Sequence, residues 1–136
     1  MKLNSLPSHN FEKLSSLKAY NALHKFDIIC LSETFLDSTI SSRDTELLLD
    51  RYELIRADHP MDLKKGSVCV YFKNTLPVNV LNINQLNECL IVEILYSNKK
   101  CHLITLNCSP SQSDIEFDEF ITNFEVLLDR VYSLNP

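Results

Sequence analysis

FDIICLSETFLD, residues Phe26 to Asp37, begins as an unbroken apolar run and stops on Ser32-Glu33-Thr34. A short run of this kind, rich in β-branched residues, predicts a strand covered on both faces. Such a strand needs packing layers above and below it, which places the chain among layered α/β proteins. A carboxylate at its carboxyl end sits where open α/β sheets put their ligands. Taken alone, a carboxylate in this position is more often solvated or capping a following helix than holding a ligand.

The flanking text is consistent with that layering. Ser8 or Asn10 can cap a helix after Pro7, and Phe11, Leu14, Leu17, Tyr20 and Leu23 recur at helical spacing, predicting a helix over about 10–25. Residues 36–50 are polar and mixed, a loop with a helical turn within 44–49. YELIRA (52–57) and SVCVYFK (67–73) predict strands on either side of the loop DHPMDLKKG, which carries Pro60 and Gly66. VNVL (78–81) predicts a short strand. CLIVEILY (89–96) and CHLITLNC (101–108) predict an antiparallel hairpin around SNKK. Ser113 followed by Glu116 fits a capping box. Phe117, Phe120, Ile121, Phe124, Leu127, Leu128 and Val131 then form one stripe of a helix ending near Tyr132. Together these elements predict a single unit over 1–136, with one largely antiparallel sheet and two main helices.

Composition narrows the function classes. A net charge of −5 argues against a general nucleic-acid coat, which carries a basic excess. It is compatible with a nuclease, because a metal-dependent site is acidic until its ion arrives. Gly66 is the single glycine, which excludes P-loop and Rossmann phosphate turns. The five cysteines are Cys30, Cys69, Cys89, Cys101 and Cys108, without a CxxC pair. Most lie in strand-like runs, and they are expected to be reduced, buried thiols. No apolar run approaches the roughly 20 residues of a membrane helix, and MKLNSLPSHN lacks the apolar core of a secretory signal. The expectation is an intracellular protein, nuclear or cytoplasmic, with no membrane contact.

The blocks FDIICLSETFLD, YELIRAD, KKGSVCVYFKNTLPV, LNECLIVEI and SPSQSDIEFDEFITNFEVLL, in this order, resemble the endonuclease domain of non-LTR retrotransposons. That domain belongs to the endonuclease/exonuclease/phosphatase superfamily and is similar to apurinic endonucleases and DNase I. The resemblance implies a DNase I-like α/β sandwich and Mg2+-dependent nicking of DNA, with Glu33 as a metal ligand. It also marks departures. The family's early Asn-x-x-Ser-Leu corresponds to Lys2-Leu3-Asn4-Ser5-Leu6, with Asn4 displaced from the asparagine slot. The family's Tyr-Arg pair corresponds to Asn107-Cys108, and a thiol cannot replace a guanidinium at a phosphate. Lys64 and Lys65, beside Gly66, are the candidates for a DNA-backbone contact.

The family's later Gly-Asp-Phe-Asn strand and terminal Asp-His pair have no counterpart in these residues. The expectation is therefore the N-terminal half of such a domain, truncated and inactive by itself, since the groups that position and stabilise are missing. The alternative is a non-catalytic remnant that binds a protein or self-associates through a sheet face left uncovered. Other constellations are weaker. Adjacent Cys101 and His102 face opposite ways on a strand and cannot easily share a metal, so a buried thiol and a surface histidine are expected. Asp58-His59 reads as a solvated loop or a contact near the cleft. Phe117, Phe120 and Phe124 have core spacing.

Overall fold

The computed structural model describes residues 12–34, 47–58, 67–83, 86–108 and 113–134. The elements run α1 (Glu12–His24), β1 (Ile28–Ser32), β2 (Tyr52–Ala57), β3 (Val68–Lys73), β4 (Val78–Leu81), β5 (Cys89–Tyr96), β6 (Lys99–Leu106) and α2 (Asp114–Ser133). All six predicted strands form. They divide, however, into two three-stranded antiparallel sheets, β1-β3-β2 and β4-β5-β6, instead of one.

In the first sheet β3 is central. Ile28 pairs with Phe72 and Ser32 with Val68 on one side, and Tyr52 with Lys73 and Ala57 with Val68 on the other. Side chains alternate between faces. Ile29, Leu31, Cys69 and Tyr71 therefore share one face, where they meet Leu14 and Leu17 of α1 together with Leu47 and Leu49. The Tyr71 hydroxyl satisfies itself there by donating to the Leu47 carbonyl at 2.6 Å. Val68, Val70 and Phe72 point the other way and are buried too.

The second sheet is a meander. Its β5–β6 turn is tighter than SNKK suggested. Ser97 and Asn98, at φ 48° and 62°, form a two-residue turn, so Lys99 already pairs with Tyr96. Two positive φ angles match the right-handed twist of the strands. One face of this sheet, carrying Leu81, Cys89, Ile91 and Ile104, packs on Phe124, Leu127 and Val131 of α2. Val92, on the opposite face, is buried as well. Strands β5 and β6 come within 8 Å, Cα to Cα, of β1, β2 and β3. The layers are thus α1, first sheet, second sheet, α2. The sheet face expected to lie open is closed by the chain's own second sheet.

Helix α2 starts with the predicted capping box. The Glu116 amide donates to the Ser113 hydroxyl at 3.2 Å, and the Ser113 amide donates to the Glu116 carboxylate at 2.8 Å. Its apolar stripe is only partly used. Leu127 and Val131 are buried, whereas Phe117, Ile121 and Leu128 are 48%, 37% and 42% exposed. On α1, Leu14 and Leu17 are buried while Tyr20 and Leu23 stay outside. Tyr20 instead meets His24 and Phe26 in tilted ring contacts, at centroid distances of 4.2 and 5.6 Å.

Leu127→Ala is expected to cost about 2–5 kcal/mol in urea unfolding, by lost burial plus a cavity. Its neighbour Leu128→Ala is expected to stay within roughly 0.5 kcal/mol as an exposed substitution. Ser113→Ala should cost about 1 kcal/mol through loss of the cap.

Candidate functional site at the carboxyl end of the first strand

Antiparallel pairing brings the carboxyl end of β1 to the amino end of β3. There the Thr34 amide donates to the Ser67 carbonyl at 3.4 Å. The Ser67 amide donates to the Glu88 carboxylate. The Asn107 amide, just past β6, donates to the Glu88 carbonyl at 3.1 Å. Glu33, Thr34, Ser67, Glu88 and Asn107 therefore form one rim shared by both sheets. Asp58, at the end of β2, holds Arg56 in a bidentate pair with contacts of 2.8 and 2.5 Å.

The rim's backbone is unusual. Glu33, Ser67 and Glu88 adopt φ of 54°, 69° and 49°. Each non-glycine residue in this left-handed region costs roughly 1–2 kcal/mol, and such strain clusters at functional sites. Glu33 is half-buried. Its neighbour Thr34 is fully buried, and its hydroxyl has no hydrogen-bond partner among the described residues. One rung back, burial pushes the Cys69 thiol from 9.0 up to about 12, against the opposing pull of Arg56. Burial likewise raises Tyr71 and Cys89. These two thiols and the phenol stay protonated and serve as packing, without a nucleophilic role.

The magnesium implied by the sequence resemblance can be tested against this donor set. Magnesium is held by one or two carboxylates together with water and phosphate oxygens in an octahedron. Among the described residues, no three His, Cys, Asp or Glu side chains converge on a common point. Glu88 accepts from Ser67, and Asp58 is occupied by Arg56. The described residues do not by themselves make a magnesium site, and Glu33 supplies at most one ligand.

Of the residues singled out in the sequence, Glu33 and Asn107 reach the same rim, through β1 and β6. Asn4, Lys64, Lys65 and His59 lie outside the described residues. Cys101 and His102 do face opposite ways, but with exposures reversed. Cys101 is exposed, while His102 has a side chain 9% exposed that meets Glu93 at 3.1 Å. Sequence reading missed Glu88. A carboxylate just before an apolar strand looks like an ordinary turn, and only its long-range bond to Ser67 makes it part of the rim.

No protein-family model and no curated protein matches the chain. Among solved structures, the AP endonuclease of Leishmania major superposes with a TM-score of 0.68 at 16% sequence identity. The match covers 85% of this chain and 40% of that one, so the chain spans about two-fifths of that protein's length. The fold is thereby the DNase I-like α/β type found in AP endonucleases.

Thr34→Val removes an unpartnered buried hydroxyl at nearly constant volume. It is expected to leave stability unchanged or raise it by about 1 kcal/mol in urea unfolding. A loss of more than that would mean the hydroxyl is bonded. The raised thiol sets a pH dependence. Folded Cys69 stays protonated where the unfolded thiol ionises, so its contribution is complete below pH 9.0 and is lost as pH rises toward about 12. Cys69→Ala should flatten that alkaline fall in urea-unfolding free energy.

Proposed function

We propose that the chain is the N-terminal part of a DNA endonuclease domain of the non-LTR retrotransposon type, a phosphodiester hydrolase that works with Mg2+. The carrying observation is Glu33, held half-buried at the carboxyl end of β1 on a strained backbone. Sequence blocks supply the retrotransposon affinity, and the AP-endonuclease-like fold supports a nuclease ancestry. In this reading Glu33 is one ligand of a metal site that other residues must complete, and Asn107 borders the path of a phosphate. DNA is the substrate of the complete domain.

The chain alone is proposed to be inactive. A single carboxylate competes poorly with water for magnesium. The described rim holds Asp58 and Glu88 in other bonds, so no further carboxylate is placed to activate water. The runner-up reading, a protein-binding or self-associating remnant, draws support from α2. Its exposed Phe117, Ile121, Leu128 and Tyr132 make an apolar strip on the outer layer.

Nicking of supercoiled plasmid by the purified chain tests the proposal, with Mg2+, with EDTA, and beside Glu33→Ala. The expected result is no cleavage in any lane. Magnesium-dependent nicking that disappears in Glu33→Ala would show that the chain assembles a working site and would end the claim of inactivity.

A further inference from the structure

A cleft lies at the opposite end of the first sheet from Glu33. Strand β3 connects the two, running from Ser67 at the rim to Lys73, Asn74 and Thr75 at the cleft, roughly 20 Å at the rise of a strand. The cleft measures about 610 Å³, within the usual range of small-molecule sites. It is walled by the end of α1, the turn before β2 and the turn after β3.

Its charge runs against that of the chain. Among the described residues, Lys18, Lys25, Arg51 and Lys73 line it, with one carboxylate, Asp50. With Asp27, the partner of Lys73, counted beside Asp50, four cations face two carboxylates there, in a protein whose net charge is −5. The acidic partners are weak competitors for a ligand. Arg51 meets Asp50 at 3.9 Å with both side chains more than four-fifths exposed. Lys73 meets Asp27 at 3.0 Å, and Asp27 is 68% exposed. Exposed pairs of this kind contribute little and exchange readily.

Backbone geometry supports a use for these cations. Lys25 and Arg51 both hold positive φ, 52° and 68°. Lys25 closes α1 through its amide, which donates to the Asn21 carbonyl at 2.6 Å. Glycine would serve both positions at lower backbone cost. Neutral donors lie between the cations. The Asn21 carbonyl oxygen of the side chain accepts from the Phe26 amide and the Tyr52 hydroxyl, each at 3.1 Å. That fixes the amide, so its donor end is what it can offer a ligand. Leu48, half-exposed, and Ala22 supply an apolar wall.

We propose that this cleft binds a small phosphate compound of two or three negative charges, up to the size of a mononucleoside diphosphate. Four cations facing two well-exposed carboxylates give the cleft the positive balance that suits a phosphate monoester or diphosphate. Arginine and lysine with interspersed amides are the donors that suit such groups. The apolar wall accommodates an organic body beside the phosphates. The site is separate from the Glu33 rim and does not rest on the nuclease reading.

The test is isothermal titration of the full chain with pyrophosphate and, separately, with ADP, in chloride buffer. Lys25→Gly and Arg51→Gly remove a cation while relaxing the backbone, so the fold is kept, and circular dichroism melting verifies this. Each is expected to weaken binding roughly fivefold or more, as loss of a charge-assisted contact does. Arg130→Ala, on α2 in the opposite outer layer, is expected to leave it unchanged. ADP binding well above pyrophosphate assigns the apolar wall to the organic body. Equal binding assigns the site to phosphate alone. Failure of both probes, or binding indifferent to Lys25→Gly and Arg51→Gly, overturns the proposal. So does duplex DNA that binds through these residues and is not displaced by pyrophosphate.

Discussion

Strand β3 is paired along both edges and buried on both faces, and the rest of the structure takes its position from it. Leu31 and Ile29 lie over α1 because their partners Cys69 and Tyr71 do. Val70 and Phe72 present the opposite face to the second sheet. A slip of one residue in this pairing would turn every one of these side chains to the wrong layer. The same register places Ser67 beside Thr34 and so fixes where Glu33 leaves the sheet. Burial on this scale also accounts for the inertness of Cys69 and Tyr71, whose ionised forms have no solvent to stabilise them.

The first sheet separates two chemistries along its length. At one end Glu33, Glu88 and Asp58 gather, with Arg56 answering Asp58. At the other end the cations of the cleft gather. Among the described residues, the two ends of the first sheet thus differ in the charge they gather. Both ends are made of turns that use charged residues at positive φ, where glycine would be easier. With Gly66 as its single glycine, the chain must close such turns with side chains present, and those side chains then project at defined places.

Local signals in the sequence translated faithfully into local structure. The capping box at Ser113, the hairpin after Cys89 and the apolar run before Glu33 each depend on neighbours within a few residues. What was not legible depends on distant partners. Strand patterns do not state which strands pair, so six strands read as one sheet become two. The stripe of α2 marks an apolar face but not how much of it a neighbour covers, and only its Leu127 side is filled. Glu88 joins the rim through Ser67, and the cleft draws Lys18, Lys25, Arg51 and Lys73 from separate segments. Neither cluster leaves a motif in the linear text. Cys101 and His102 show the same limit, since alternation sets that they oppose but not which one turns inward.

The two sheets also differ in how far the chain must travel to build them. The second is a meander of adjacent strands closed by short turns, followed directly by the helix that packs on it. The first requires Ile28 to find Phe72, with β2 and the segments on either side of it in between. Closing the longer loop costs more entropy before any contact repays it, and non-local pairing is the slow step in small proteins. The meander with α2 is thus the more local half of the fold, and the first sheet carries the costlier chain closure. Glu33 and the cationic cleft both belong to the sheet with that longer closure, so a change that weakens its pairing reaches both places at once.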